Sequence, residues 1–236
     1  MPTVLVTGAS RGLGLEFARQ YCADGWSVLA CCRQPARAQA LRELAAAHER
    51  LRVHALDVSD FAAIDALAES LRGQPIDVLI NNAGLYGPTS GAQHDARQEF
   101  GHMDYEHWQR LFVVNTQAAY KMAEAFIDHV AASEQRRIVA ISTGMASIGD
   151  AGGGFYAYRT TKAALNMAMV ALSRDLAARR VRVGLLCPGW VRTDMGGPNA
   201  TLSPQESVRG LRARIAELDD ARSGQFISHG GRRKPW

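Results

Sequence analysis

Short β-branched runs alternate with longer Ala- and Leu-rich stretches from one end of the chain to the other, and few architectures accept that rhythm. The short runs fall at 4–6, 27–31, 53–56, 78–80, 138–141, 181–186 and 225–227. They are apolar without strict alternation, as parallel strands covered on both faces are. Helical periods occupy 13–23, 36–47, 61–71, 105–131, 157–178 and 204–218. Strand–helix repetition without a linker predicts one doubly wound α/β domain over 1–236, with about seven parallel strands and helices on both faces. One stretch differs in character. Residues 87–101, rich in Gly, Gln, His and Asp, are either a surface excursion or the rim of a site.

Composition removes several function classes. Lys plus Arg is 27 against 23 Asp plus Glu, a net charge of only +4, and Arg232-Arg233-Lys234 accounts for part of it. No basic stripe interleaved with aromatics appears, so no nucleic-acid partner is expected and the terminal cluster reads as a solvated tail. No run approaches the ~20 apolar residues of a membrane span, so no membrane partner is expected. The chain opens directly into a strand without a basic segment or cleavage site, which predicts a cytoplasmic protein. Cys22, Cys31, Cys32 and Cys187 lack metal or redox spacing and read as buried thiols. His94, Glu99, His102, Asp104 and His107 look like a metal cluster, but no pair has ligand spacing and no metal is expected. Asp60 and Asp104 stand where helix caps belong.

Immediately after the first strand comes Thr7-Gly8-Ala9-Ser10-Arg11-Gly12-Leu13-Gly14. Glycines there permit a tight turn, close approach of a pyrophosphate and close helix–sheet packing, as in a Rossmann fold. The helix that follows offers free N–H groups to the phosphates. The second strand ends Ala30-Cys31-Cys32-Arg33, with no acid to take a ribose 2′-hydroxyl. Arg33, joined by Arg11, suits a 2′-phosphate, so NADP(H) is expected in preference to NAD(H). The plainer alternative is that Arg33 is a solvated residue opening a helix. Tyr158 and Lys162 are four apart and share one helix face. A cation beside a phenol favours phenolate and lowers its pKa, which suits proton exchange with an alcohol or carbonyl oxygen.

Tyr158-Arg159-Thr160-Thr161-Lys162, the 7–14 loop, Asn81-Asn82-Ala83-Gly84 and Pro188-Gly189 together resemble the short-chain dehydrogenase/reductase family over essentially the whole chain. The segments 187–200, 153–159 and 224–236 are similar to its C-factor-like, sniffer-type carbonyl reductases. The resemblance implies that Tyr158 donates the proton, that Lys162 holds the nicotinamide ribose and tunes the phenol, and that Asn115 supports a proton-relay water. It implies cofactor contacts from Gly8, Ser10, Arg11, Gly12, Leu13, Gly14 and Arg33, with Asp57 and Val58 at the adenine. Asn82, Ala83 and Gly84 would line the adenosine side, with Tyr158 and Lys162 at the ribose. Pro188, Gly189, Val191 and Thr193 would fix the nicotinamide.

One position departs from the pattern. Where the family carries a serine pair, this chain reads Ile141-Ser142-Thr143-Gly144. Thr143 aligns with the catalytic serine and keeps a hydroxyl donor with a stiffer χ1; Ser142 is the alternative. Gly144, where bulkier residues are common, predicts a displaced loop. A short lid near 195–206 implies an open site for a small or variable carbonyl compound or its alcohol. Trp190 and Tyr156 are either aromatic walls or hydrophobic filling. The expected function is an NADPH-dependent carbonyl/alcohol oxidoreductase. A nucleotide-binding signalling protein is the rival reading, and a sugar-nucleotide epimerase is disfavoured by length and glycine spacing. The stretches 105–131 and 157–178 resemble helices through which the family forms homodimers or homotetramers.

Overall fold

Successive strand residues point to opposite faces, and in this chain both faces are apolar. In β1 (Thr3–Thr7) all five residues are buried, Val4 and Val6 packing into one layer and Leu5 into the other. The computed structural model describes residues 1–87 and 96–236. Strands β2 (Ser27–Cys32), β3 (Leu51–Ala55), β4 (Val78–Asn81), β5 (Arg137–Ile141), β6 (Arg182–Cys187) and β7 (Phe226–Ser228) join β1 in one sheet. Its order is β3-β2-β1-β4-β5-β6-β7, and every neighbouring pair is parallel. This is the doubly wound Rossmann arrangement expected from the sequence.

Helices α1 (Gly12–Ala23), α2 (Gln39–Ala47) and α7 (Pro204–Ala216) cover one face, burying Phe17, Leu41 and Leu211. Helices α3 (Phe61–Ser70), α5 (Ala118–Ala131) and α6 (Tyr156–Asp175) cover the other with Ile64, Phe126 and Met169. Chain order reverses between β1 and β4, so their C-terminal ends open the crevice where ligands of such sheets bind. Among the described residues no helix is long and apolar enough to cross a membrane.

Three details differ from the periodicity. The stretch 105–131 is not one α-helix: α4 (Tyr105–Phe112) passes through a π turn, Val113–Gln117, before α5. The stretch 36–47 begins with a 3-10 turn, Pro35–Arg37, and α2 starts only at Gln39, so Arg33 is exposed but opens no helix. The terminal cluster is not a loose tail. Ile227 pairs antiparallel with Arg233, Lys234 N–H donates to Phe226 O at 2.8 Å, and Trp236 stacks on Phe226. Arg232 and Arg233 stay exposed, while Lys234 is partly covered.

Caps set the helix starts. Asp60 accepts from Ala63 N–H at 3.0 Å to open α3, and Asp104 accepts from His107 N–H at 2.9 Å to open α4. Ser203 and Glu206 form a reciprocal capping box on α7. All four cysteines are buried and free, and burial pushes Cys31 up to about 12 and Cys22 up to about 11. Their part is packing.

Phe126 is fully buried between α5 and the sheet, whereas Phe61 is 37% exposed. Phe126→Ala should cost about 3–5 kcal/mol in urea unfolding, and Phe61→Ala well under half of that. Equal losses would contradict this packing.

Candidate active site

The glycine loop is held at a spacing only glycine permits. A Cβ on Gly14 would lie 2.2 Å from the Gly8 carbonyl oxygen, and one on Gly8 2.9 Å from the Ala83 Cα. Gly8 and Gly12 also have positive φ, 67° and 56°. Ser10 completes the turn, and Leu13 packs against the α1 layer. Across the crevice, the Thr7 hydroxyl oxygen accepts from Asn82 N–H and Ala83 N–H, both at 3.0 Å. Asn82 Nδ2 donates to Thr7 O at 2.9 Å. The result is a groove with a helix N-terminus at one wall, which fits a dinucleotide pyrophosphate.

At the adenosine end, Asp57 accepts from the Ser59 N–H at 3.0 Å and the Ser59 hydroxyl at 2.7 Å. Burial pushes its carboxyl up, but the Ser59 bonds with Arg33 and Arg110 outweigh that and hold it below the usual range. Val58 beside it is buried. Arg110 was not anticipated from sequence. Arg11 forms an ion pair with Asp194 at 2.7 Å, with both side chains largely exposed. An exposed pair of this kind contributes about 0–1 kcal/mol, so a phosphate can displace it. The Asp194 partnership spans the glycine loop and the segment after β6, and no local signal announces it.

At the other end, α6 carries Tyr158 and Lys162, both buried. Lys162 Nζ donates to Ile141 O at 2.9 Å. The π turn swings Asn115 inward, where its Oδ1 accepts from Leu85 N–H at 2.7 Å. Its Nδ2 donates to Leu85 O at 2.8 Å and to the Thr161 hydroxyl at 3.1 Å. A Cβ on Gly84 would sit 3.3 Å from Asn115 Oδ1 and 3.5 Å from Lys162 Nζ. Glycine there leaves the lysine and the asparagine side by side.

Thr143 caps the 3-10 turn Gly144–Ala146, its hydroxyl oxygen accepting from Met145 N–H at 3.3 Å. The same hydroxyl is close enough to the Tyr158 phenol to favour its ionised form. Ser142 is committed elsewhere, donating to Asn166 Oδ1 at 2.7 Å. The loop is an ordered capped turn, and the space Gly144 leaves is taken up by Lys234 and Cys187 side chains.

The phenol behaves differently from the expectation of a cation-lowered pKa. Burial raises it above its ordinary value, Tyr86 and Cys187 add to the rise, and the nearby Thr143 hydroxyl only partly offsets it. The lysine is itself desolvated, which drives it down from 10.5 to about 8. A protonated Tyr158 at neutral pH is the state a proton donor requires.

Around the phenol, the Tyr86 ring packs edge-on at 4.7 Å, and Phe155 holds a left-handed conformation just before α6. Gln98, fully buried, accepts from Tyr158 N–H and donates to Tyr86 O. It too escaped sequence reasoning. Within the 87–101 stretch, residues 88–95, His94 among them, lie outside the described residues. Beyond β6, Pro188 and Gly189 lead to Val191, whose bridge to Leu202 closes the 191–202 loop. Thr193 there places its methyl beside Gly12. Trp190 and Tyr156 are 50% and 39% exposed, so neither is hydrophobic filling.

Lys162 sets a pH signature for the protein without cofactor. Below about 8 the fold holds an ammonium that the unfolded chain would solvate; between about 8 and 10.5 the unfolded chain keeps a proton the fold has released, so stability rises with pH. Tyr158, raised above 10.0, acts oppositely at higher pH. The melting temperature of wild type relative to Lys162→Met should therefore rise from pH 8 to 10. A flat difference would contradict the buried lysine.

Known proteins resemble this chain over most of its length. The short chain dehydrogenase family matches residues 2–202. C-signal of Myxococcus xanthus is 38% identical over 172 residues, which are 72% of this chain and 99% of that protein. The carbonyl reductase Sniffer of D. melanogaster superposes with a TM-score of 0.90 at 31% identity over 100% of both chains. The NADPH-bound carbonyl reductase from chicken fatty liver superposes at 0.89, with 32% identity over 100% of this chain and 99% of that one. The chain belongs to the short-chain dehydrogenase/reductase family.

Proposed function

We propose that this protein is an NADP(H)-dependent carbonyl reductase working on small or variable carbonyl compounds and their alcohols. The observation that carries the reading is the buried pair Tyr158 and Lys162 on α6, the lysine tied to Ile141 O at the C-terminal end of β5 and the phenol near the Thr143 hydroxyl that follows it. In this reading the groove at Gly8, Gly12 and Gly14 receives the pyrophosphate. Arg33 and Arg11 take the 2′-phosphate, Asp57 and Val58 face the adenine, and Pro188, Gly189, Val191 and Thr193 hold the nicotinamide. When bound, the dinucleotide supplies the hydride.

The chain supplies the rest. The two hydroxyls donate to the carbonyl oxygen and stabilise the charge that builds on it. Tyr158 then gives up its proton to that oxygen, leaving the alcohol. Lys162 holds ribose hydroxyls, and Asn115 beside it keeps open a route for the replacement proton. The lid near 195–206 is short and internally tied, with Trp190 Nε1 donating to Gly196 O at 2.8 Å and Arg192 donating to Ala200 O and Thr201 O at 3.0 Å. A tied lid leaves the mouth open, in keeping with small or varied substrates.

The outward faces of α5 and α6, with Tyr120 and Met167 exposed, are where a second copy packs in a homodimer or homotetramer. Four reduced, buried thiols fit a cytoplasmic setting. The identity to C-signal favours a second reading, in which nucleotide binding serves regulation and turnover is slight.

The deciding experiment is NADPH oxidation against aldehydes, ketones and quinones, with Tyr158→Phe beside wild type. Turnover that falls by about 100-fold or more in Tyr158→Phe supports the reductase. NADPH binding without turnover across the panel favours the regulatory reading. Arg33→Asp should weaken NADPH by roughly 10- to 100-fold in a binding titration and leave NADH nearly unchanged. Equal loss for both would reject Arg33 as the 2′-phosphate residue.

A further inference from the structure

We infer that Gln98 is a positioning residue for Tyr158, delivered to the catalytic helix from the segment between β4 and α4. The inference rests on the reading of Tyr158 as the proton donor. Gln98 closes the 3-10 turn Ala96–Gln98 and has no exposed surface. Both ends of its amide are used: Oε1 accepts from Tyr158 N–H at 3.0 Å, and Nε2 donates to Tyr86 O at 2.8 Å. An N–H needs an oxygen and a carbonyl needs a donor, so only one orientation of the amide satisfies both neighbours.

The bond answers a need that α6 cannot meet itself. The first N–H groups of a helix have no intrahelical acceptor, and the first such bond here runs from Arg159 N–H to Phe155 O. The usual remedy is a capping side chain on the preceding residue. Phe155 occupies that place, left-handed and with no oxygen in its side chain to cap the turn. Gln98 supplies the acceptor from another segment, at the residue that carries the phenol.

Its other bond makes this more than a cap. Tyr86, whose carbonyl Gln98 holds, lays its ring against the Tyr158 ring. The backbone of Tyr158 is therefore tied through Gln98 to the segment that also braces its ring. The residue is thus held at its backbone by Gln98 and at its ring by Tyr86, with the Thr143 hydroxyl near the phenol. Gln98 touches none of the reacting atoms. It sets where the Tyr158 oxygen lies relative to the Thr143 oxygen.

Gln98→Met keeps the shape and removes both bonds. Amide exchange at Tyr158 should quicken by roughly tenfold or more, since its N–H loses its acceptor. The kcat should fall by roughly 10- to 100-fold, the scale of a misplaced reacting group, while KM for NADPH stays within about twofold. Gln98→Glu offers the same donor and acceptor when protonated, so it should recover turnover toward acid pH and lose it as the carboxyl ionises. Val208→Ala, on α7 in the opposite layer, serves as a variant of lowered melting temperature and should keep kcat within about twofold.

Unchanged kcat in Gln98→Met, beside loss in Tyr158→Phe, would overturn the positioning role alone. So would an equal fall of kcat in Val208→Ala at matched loss of melting temperature. Full turnover in Tyr158→Phe would overturn the proton-donor reading and this inference with it.

Discussion

The Thr7 hydroxyl accepts the backbone N–H groups of both Asn82 and Ala83, and through it β1 and β4 leave the sheet at a fixed spacing. This is the seam where strand order reverses, so the two chain segments that diverge there form the walls of the crevice. Asn82 reinforces the seam by donating to the Thr7 carbonyl, which keeps the first turn of the glycine loop against the end of β4. Two residues farther on, Gly84 lies against Asn115 and Lys162. The phosphate end and the proton-handling end thus share one short strand terminus. A shift in the seam would move both.

Burial governs the chemistry of the inner end. Tyr158, Lys162, Asn115 and Gln98 are all more than nine-tenths buried. Unpaired polar groups at such depth cost about 1–3 kcal/mol each, which explains why so many of their atoms have partners at hydrogen-bond distance. The same desolvation favours the neutral forms, raising the phenol and lowering the ammonium. Attraction between lysine and phenol is a smaller influence in the protein alone than removal from water.

Much of the fold was legible because its signal is local and repeated. Apolar runs without alternation marked strands covered on both faces, and the glycine loop sat between a strand and a helix as it had to. Thr143 was legible as a position, since alignment of the motif after β5 selected it over Ser142, and the structure engages Ser142 with Asn166. What escaped depends on distance along the chain or on small departures in helical period. Gln98 looks like any polar loop residue until the fold brings it 60 residues onward to Tyr158. Arg11 and Asp194 are 183 positions apart. Charge at 232–234 suggested solvent, but the backbone there had an edge strand to pair with.

The π turn between α4 and α5 has a consequence for what this chain can tolerate. Before it, Trp108 of α4 donates to Thr160 of α6; after it, Met122 and Phe126 of α5 face the sheet. A π turn closes on i+5 where an α turn closes on i+4, so it takes up one extra residue while the flanking turns keep the phase of an ordinary helix. Losing one residue between 113 and 117 would restore the α ladder and leave both halves facing the partners they have. The cost would fall on the bulge itself, which holds Asn115 against Leu85 and Thr161. The segment is therefore spare to the fold and indispensable to the site.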